Sequence, residues 1–274
     1  MKIQWMQVLY ALLALGGVGV IFGFILDIAD KKFAVEQDER VTKVRAACAG
    51  ANCGACGYPG CDGFAAAVVA GEAPVSGCTA GGAKTAAAIA EIMGVSAGSA
   101  EPKVARLLCQ GAHGVAKERY HYDGYKSCQM ASQMVGGPKL CSYSCVGLGD
   151  CMDVCKFDAI KIENGIAVFD ENKCVACGMC EKTCPRHAIA VVPKDATVLV
   201  RCQNSDTGRV AVEACMKACI GCKRCEKTCQ YDAIHVANGF ASIDTAKCTR
   251  CGECAKVCPR GYITVIGGQA ESVA

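Results

Sequence analysis

The sequence predicts an α+β protein built from an amino-terminal apolar helix, a small alanine-rich helical module and two tandem copies of a cysteine-rich α+β unit. Three observations lead to this prediction. Residues 5–26 carry no charge, 25 of the 274 residues are cysteine, and residues 141–191 repeat at 215–265 with a constant offset of 74. A fixed offset over this length indicates a tandem duplication rather than a chance enrichment in cysteine.

The apolar run from Trp5 to Leu26 has Gln7 as its one strongly polar interruption. Twenty-two residues at a rise of about 1.5 Å each are enough to cross a bilayer core. The run is longer than the apolar region of a signal peptide, and no small-x-small cleavage site precedes Asp27. The sequence therefore predicts a single transmembrane helix at residues 1–28.

Basic residues are distributed unevenly around this run. Lys31, Lys32 and three further basic side chains follow it, whereas Lys2 alone precedes it. The positive-inside rule then places the rest of the chain on the cytoplasmic side of the cell inner membrane. Residues 29–47 are charged and compatible with a helix, and they are predicted to connect the membrane anchor to the body.

Two stretches run Cys-x2-Cys-x2-Cys-x3-Cys-Pro, beginning at Cys174 and at Cys248. This run is typical of bacterial ferredoxins that bind [4Fe-4S] clusters. Disulfide scaffolds belong to small secreted domains, and spacings of two or three residues would strain a disulfide. Zinc sites stop at four ligands and do not join three cysteines at two-residue gaps in this way. The sequence therefore predicts iron–sulfur clusters.

Residues 48–93 form the first predicted cluster module. A Cys-Gly-x-Cys-Gly-x-x-Gly-Cys signature with a fourth cysteine downstream supplies one set of ligands: Cys53, Cys56, Cys61 and Cys78. The alanine-rich segments Asp62–Ala70 and Gly82–Met93 are predicted to be short helices. Cys48 exceeds the four ligands required and is predicted to be a buried free thiol. Residues 94–102 have the composition of a linker.

The remaining chain is predicted to contain two ferredoxin-like repeats, residues 103–191 with an amino-terminal extension and residues 192–274. In each repeat Asn-Gly separates short apolar runs, which predicts a β-hairpin. The residues after each cysteine triplet are predicted to form a short helix. In two-cluster ferredoxins the fourth cysteine of each run crosses to the other cluster. The second repeat therefore offers Cys219, Cys222, Cys225 and Cys258 for one cluster, and Cys229, Cys248, Cys251 and Cys254 for the other.

The first repeat departs from this pattern because Leu148 occupies the position equivalent to Cys222. Cys141 is the predicted substitute. The predicted sets are then Cys141, Cys145, Cys151 and Cys184 for one cluster, and Cys155, Cys174, Cys177 and Cys180 for the other.

Four further cysteines suggest a sixth cluster, because Cys109-Gln110 and Cys202-Gln203 precede the first and second repeats in the same way. The predicted ligands are Cys109, Cys128, Cys202 and Cys215. Cys141 and Cys215 are related by the 74-residue offset, so their roles could be exchanged. The alternative is that these cysteines are ordinary buried thiols.

No catalytic residue is predicted. The sequence offers no dinucleotide-binding loop, no P-loop, no nucleophile elbow and no flavin motif. The formal net charge of +3 counts every cysteine as neutral, which fails once thiolates bind iron, so it does not indicate a nucleic-acid partner. A chain with an apolar anchor and many clusters is predicted to carry electrons between proteins at a membrane.

The amino-terminal apolar run, the Cys53–Cys78 signature, the segment Cys141–Cys151 and the two repeats together resemble the B subunit of the Rnf complex over essentially the whole chain. The resemblance implies an ion-translocating ferredoxin:NAD oxidoreductase, in which this subunit receives electrons from soluble ferredoxin. It also implies partner subunits of types C, D, G, A and E, which hold the NAD and flavin chemistry, and coupling to Na+ or H+ movement. Two alternatives are an electron-transfer subunit of another membrane oxidoreductase, such as a hydrogenase, and an iron–sulfur redox sensor.

The charge distribution adds a hypothesis about docking. Residues 215–262 contain eight basic and four acidic side chains, whereas residues 141–190 contain five basic and seven acidic ones. Soluble ferredoxins are usually acidic, so complementary charge is expected to steer them to the second repeat.

Overall fold

The computed structural model describes residues 5–33, 38–97, 101–206 and 208–266. Helix α1 spans Trp5–Phe33. From Leu9 to Ile28 its large apolar side chains are exposed, for example Leu15 at 74% and Phe24 at 67%. By length and hydropathy, no helix in the described part of the chain qualifies as a membrane span.

Three helices form the first module: α2 at Glu39–Ala47, α3 at Gly60–Val69 and α4 at Gly82–Met93. Both helices predicted from the alanine-rich segments are present. Their shared core is built on Phe64 and Ile89, which are 1% and 0% exposed. Gly94 ends α4 in the left-handed conformation, at φ 67°, which a glycine adopts without steric cost.

The first repeat contains two antiparallel strand pairs and three short helices. Strand β1 at Lys103–Leu107 pairs with β4 at Ile189–Pro193, and β2 at Ile160–Glu163 pairs with β3 at Ile166–Phe169. The helices are α5 at Cys128–Gln133, α6 at Asp150–Asp153 and α7 at Met179–Thr183. Asn164 and Gly165 have φ of 48° and 72°, so the predicted hairpin turn is present.

The second repeat has the same arrangement. Strand β5 at Val198–Val200 pairs with β8 at Ile263–Val265, and β6 at Ile234–Ala237 pairs with β7 at Phe240–Ile243. Helix α8 at Gly208–Ala214 precedes α9 at Arg224–Thr228 and α10 at Glu253–Lys256. The duplication seen in the sequence is therefore a duplication of structure.

The two repeats are joined by contacts between segments that are distant in sequence. Ala116 forms an isolated bridge with Cys215, and the Lys117 amide donates to the Ala214 carbonyl. The Arg201 guanidinium donates to the carbonyls of Leu107 and Cys109. The extension before the first repeat consequently packs against the second repeat, and cysteines from both can meet at this junction.

Candidate metal centres

The cysteines of the first module converge on one cavity of about 310 Å³, lined by Cys53, Cys56, Cys61 and Cys78. Asn52 holds the loop in place, because its Oδ1 accepts a hydrogen bond of 2.8 Å from the Cys61 amide at the start of α3. Cys48 is buried beside these residues but does not line the cavity. Burial raises the pKa of Cys48 to about 12, which favours a protonated thiol at this position.

Each repeat has an equivalent cavity beneath its hairpin. In the first repeat the cavity measures about 330 Å³ and is lined by Cys155, Cys174, Cys177 and Cys180. In the second repeat it measures about 350 Å³ and is lined by Cys229, Cys248, Cys251 and Cys254. The structure thus brings together the same cysteines that the spacing in the sequence groups. Gly178 and Gly252 adopt φ of 75° and 77°. These positive φ angles reverse the chain direction between the loop that carries each cysteine triplet and the short helix that follows it.

The other predicted set of the second repeat is grouped around its apolar core. Cys219, Cys225 and Cys258 pack with Val198, Ile234 and Ile263, and negative charge on the nearby Cys222 contributes to the raised pKa of Cys225, after burial. The Tyr262 hydroxyl lies 2.9 Å from Cys219 Sγ, in a position to donate a hydrogen bond to a thiolate there. Sequence reasoning did not single out Tyr262, and the equivalent residue in the first repeat is Ala188.

A cavity of about 340 Å³ lies at the junction between the repeats, and we call it the junction cavity. Its cysteines differ from the predicted set in one member: Cys109, Cys141, Cys202 and Cys215 line it. Burial raises the pKa of Cys141 to about 12, and negative charge on the three other thiols contributes. The structure thus places Cys141 where the sequence analysis had placed Cys128.

Cys128 lies instead with Cys145 and Cys151. Asp150, the first residue of α6, accepts hydrogen bonds from the amides of Cys128 at 2.7 Å and Gln129 at 3.0 Å. These bonds fix the start of α5 beside the start of α6. Negative charge on Cys128 contributes, after burial, to the raised pKa values of Cys145 and Cys151. Cys128 therefore lies beside Cys145 and Cys151 of the first repeat, whereas Cys141 lines the junction cavity.

The donor sets fit [4Fe-4S] clusters. All 25 cysteines, which lie within the described residues, are free thiols. Burial raises the pKa of Cys151, Cys180 and Cys254 to about 12, so buried thiolates here need nearby positive charge. Iron supplies that charge, and backbone amides supply further support, such as the Ala105 amide 3.4 Å from Cys174 Sγ. Within the described ranges, no group of three or more histidine, cysteine, aspartate or glutamate side chains is placed to hold a single metal ion.

Two cations flank the junction cavity, the buried Lys139 and the half-buried Arg201. Arg201 lines it and donates to two backbone carbonyls, and its burial lowers its pKa. Lys139, 4% exposed, donates to the carbonyls of Gly111, Cys145 and Gly165 at 2.7, 2.8 and 2.7 Å. Among the described residues, neither cation forms an ion pair with a carboxylate. A buried charge without a partner is costly, so an anionic group in the cavity would stabilise both.

Hydrogen bonds join the first module to the first repeat, the first repeat to the junction cavity, and the junction cavity to the second repeat. Lys156, next to Cys155, donates to the carbonyls of Ala51 and Asn52 at the edge of the first module. The Cys145 amide donates to Cys109 Sγ at 3.4 Å, and the Cys219 amide donates to Cys202 Sγ at 3.3 Å. The junction cavity thus lies between the two repeats, and the first module lies at the far end of the series.

Comparisons with known proteins agree with this arrangement of sites. Residues 49–80 match the family described as a putative Fe-S cluster, residues 167–190 match a 4Fe-4S binding domain, and residues 218–262 match a 4Fe-4S dicluster domain.

Relatives that match over most of this chain show its family. The B subunit of the Na(+)-translocating ferredoxin:NAD(+) oxidoreductase complex of Acetobacterium woodii is 48% identical over 251 residues, which cover 91% of this chain and 75% of that protein. The chain belongs to the B subunits of the Rnf complex. The B subunit of the ion-translocating oxidoreductase complex of Methanosarcina acetivorans is 35% identical over 91% of this chain and 95% of its own length. The B subunit of the proton-translocating ferredoxin:NAD(+) oxidoreductase complex of Clostridium ljungdahlii is 36% identical over 91% of this chain and 89% of its own length.

This family membership confirms the function expected from the resemblance. The Rnf B subunit is an iron–sulfur electron-transfer subunit of an ion-translocating ferredoxin:NAD oxidoreductase. It belongs to a membrane-bound complex with other Rnf subunits. The structure adds residues that the sequence analysis missed, because Asp150, Lys139, Arg201 and Tyr262 act through contacts between distant segments.

Proposed function

We propose that this Rnf B subunit holds six [4Fe-4S] clusters and passes electrons along them from the second repeat to the first module. The observation that carries the proposal is the convergence of cysteines in fours on four separate cavities of similar size. When bound, each cluster would serve as a one-electron carrier. The chain itself supplies the thiolates and their spacing, and it leaves all the proposed ligands buried or half-buried except Cys222 and Cys251.

The proposed ligand sets keep four of the six sequence predictions and revise two. The four unchanged sets are Cys53, Cys56, Cys61 and Cys78; Cys155, Cys174, Cys177 and Cys180; Cys219, Cys222, Cys225 and Cys258; and Cys229, Cys248, Cys251 and Cys254. The two revised sets are Cys128, Cys145, Cys151 and Cys184, and Cys109, Cys141, Cys202 and Cys215. The hydrogen bonds that Asp150 accepts from amides at the start of α5, and the lining of the junction cavity, support the exchange of Cys128 and Cys141.

Iron quantitation tests the number of clusters. A purified, anaerobically reconstituted chain should contain about 24 iron atoms, since each of six clusters holds four. About 20 atoms would remove the junction cluster from the proposal. A Cys48→Ser variant serves as the control and should keep the full complement, because Cys48 does not line the first-module cavity beside it.

We place electron entry at the second repeat. Cys222 and Cys251 are exposed, whereas the cysteines of the first repeat are buried or half-buried. Lys223 and Arg224 lie at the start of α9, next to Cys222, and Lys227 lies in the last turn of this short helix. Lys223 is 58% exposed. A positive surface beside an exposed ligand loop favours an acidic partner such as soluble ferredoxin. Arg260 contributes less to this surface, since it is half-buried and donates to the Cys215 carbonyl.

Charge reversal at Lys223, Arg224 and Lys227 should slow ferredoxin oxidation by about 10-fold or more at low salt, and the difference should shrink as salt is added. The reason is that these residues would steer encounter without holding a cluster. Stopped-flow measurement of reduced ferredoxin oxidation at several salt concentrations checks this prediction.

The matched control reverses Lys161, Lys173 and Lys182 of the first repeat, which changes the net charge equally. It should leave the rate within about twofold, because long-range charge effects are screened over roughly 10 Å. Equal slowing by both triple variants would show that net charge matters and that the docking surface lies elsewhere.

We further propose that the apolar part of α1, Trp5–Ile28, anchors the subunit in the membrane, with the iron–sulfur body on the cytoplasmic side. The exposed apolar side chains of α1 and the basic residues that follow Leu26 support this proposal. Partners of types C, D, G, A and E, and the coupling to Na+ or H+ movement, are proposed from the family. Protease added to sealed inside-out vesicles should digest the body. Protection of the body in such vesicles would contradict the proposed orientation.

A further inference from the structure

The junction cavity differs from the other three cysteine-lined cavities in its charge. Arg201 and Lys217 contribute to its lining, together with Gln110, Gln203 and Asn204. Apart from cysteines, the first-module cavity and the hairpin cavity of the first repeat are lined by no ionisable side chain, and the hairpin cavity of the second repeat includes Glu253 and Tyr231, whose ionised forms are negative. Positive charge and polar side chains are therefore concentrated at one of the four cavities.

Two features strengthen the electrostatic effect of Arg201 on neighbouring groups. Its guanidinium is half-buried and donates to the Leu107 and Cys109 carbonyls at 3.3 and 3.1 Å, without a carboxylate partner among the described residues. An arginine stays protonated in proteins, so this charge is permanent. Charge in a poorly solvated position is weakly screened and acts strongly on neighbouring groups.

Further donors reach the same cavity. Lys139 donates three hydrogen bonds to three carbonyls, which matches the three protons of an ammonium ion, and one of those carbonyls belongs to Gly111 in the cavity lining. Arg260 donates to the Cys215 carbonyl at 3.1 Å. The Asn204 side chain, 1% exposed, places its amide nitrogen 3.6 Å from Cys141 Sγ. Donors aimed at ligand sulfurs and nearby positive charge both favour the reduced cluster, which carries one more negative charge.

Burial works in the opposite direction, because a poorly solvated site disfavours the more negative state. The set of Cys128, Cys145, Cys151 and Cys184 provides the comparison, since it is similarly buried. Lys139 contacts both sites through carbonyls, and the half-buried Arg186 interacts electrostatically with Cys141, Cys184 and Cys128, so its charge also acts on both sites. Arg201 and Arg260 contact ligand residues of the junction cavity. The two sites thus share their burial and the charges of Lys139 and Arg186, whereas the charges of Arg201 and Arg260 distinguish them.

We propose that the cluster held by Cys109, Cys141, Cys202 and Cys215 has the highest reduction potential in the chain, with Arg201 as the positioning residue that raises it. This inference rests on the proposed function, because it requires a cluster at the junction. The first electron delivered by reduced ferredoxin would then reside between the two repeats. A further electron could pass through the junction cluster only after the first had left it towards the first module, so this cluster would control passage between the two repeats.

A stepwise reductive titration of the full chain with sodium dithionite tests this proposal, with the iron content of each sample measured and reduction followed by electron paramagnetic resonance. In the wild type, one signal should appear before the others. In Arg201→Gln that signal should require a potential lower by about 59 mV or more, a tenfold change in the equilibrium constant of a one-electron reduction. The signals of the other five clusters should keep their potentials.

Three further variants complete the test. Arg201→Lys retains the charge and should recover part of the shift. Arg260→Gln should shift the same signal in the same direction, which covers the case in which Arg201→Gln folds poorly. Lys117→Gln removes one positive charge at an exposed residue nearby and should leave every potential unchanged.

The outcomes separate this inference from the proposed function. Full iron content with no shift of the first signal in either arginine variant would overturn the role of Arg201 and leave six clusters standing. A wild-type iron content near 20 would instead remove the junction cluster and the inference with it.

Discussion

A chain in which Cys202 and Cys215 are both replaced by serine should keep about 20 iron atoms and lose electron transfer between its two ends. Both residues line the junction cavity, and the sets on either side of it contact it through the Cys145 and Cys219 amides. Removing the junction cluster leaves a gap in the series without altering the cysteines of the five other sets.

The rate of reduction should therefore differ between the cysteine sets on the two sides of the gap. With reduced ferredoxin as donor, the two sets of the second repeat should be reduced as fast as in the wild type. Reduction of the three sets beyond the gap should slow by more than about 100-fold, because the carrier between the two repeats is missing. Loss of an outer-shell partner alone costs roughly 10- to 100-fold, and loss of two ligands is more severe. Stopped-flow absorbance would record a fast and a slow phase in place of a single fast one.

The control for this experiment is Cys48→Ser, which removes a buried thiol that does not line the first-module cavity. It should retain about 24 iron atoms and a single fast phase. If the double variant also reduced all of its clusters rapidly, the junction cavity would lie outside the electron path and the proposed order would be wrong.

Gly147→Ala should destabilise the first repeat strongly. Gly147 has φ of +83°, and a Cβ placed on it would lie 2.2 Å from the Gly165 carbonyl oxygen and 2.6 Å from its carbon. These are backbone atoms of the β2–β3 turn, and Lys139 also holds that carbonyl through a 2.7 Å hydrogen bond. Strain in φ and steric overlap together should cost about 3 kcal/mol or more in the free energy of unfolding.

The duplication supplies a matched control for this prediction. Gly221 is the equivalent residue in the second repeat, with φ of +64°, but its added Cβ would lie 3.6 Å from the Gly239 oxygen, an ordinary contact. Gly221→Ala should therefore cost about 1–2 kcal/mol, which is the strain of the left-handed conformation alone. Anaerobic denaturation in guanidinium chloride, followed by circular dichroism, compares the two variants. Equal losses of stability would show that the close approach at Gly147 relaxes without cost.

Local patterns in the sequence were enough to predict the hairpins and to group most of the cysteine loops. Asn-Gly between apolar runs specifies a tight turn because both residues adopt positive φ, as Asn164 and Gly165 do. Cysteines two residues apart lie on one loop and so reach the same site. The helices of the first module were predicted closely for a similar reason, since alanine-rich segments form helices from their own propensity.

Pairings between distant segments were beyond the reach of those patterns. Strands β1 and β4 pair Lys103 with Pro193, across a separation of about 90 residues, and each strand has only five residues. Nothing in so short a segment identifies its partner. The outer strand pairs of both repeats were consequently missed, although both inner hairpins were predicted.

The exchange of Cys128 and Cys141 has the same origin. Neither residue lies in a repeated cysteine run, so spacing could not assign them, and the 74-residue offset pointed to Cys141 as the substitute for a missing ligand. In the structure, Asp150 at the start of α6 accepts a hydrogen bond from the Cys128 amide at the start of α5. The side-chain amide of Asn204, from the second repeat, lies 3.6 Å from Cys141 Sγ. Contacts between segments that are distant in the sequence therefore determine where each of the two cysteines lies.

The sequence by itself determined the family, the iron–sulfur chemistry, the duplication and the grouping of cysteines in four of the proposed ligand sets, because each of these depends mainly on residues close together in the chain. The tertiary structure decided which cysteines meet at the junction and the placement of Arg201 and Lys139 without carboxylate partners among the described residues. Those features depend on the packing of one repeat against the other. Packing brings together groups that are far apart in the sequence, and no local sequence pattern indicates that they are in contact.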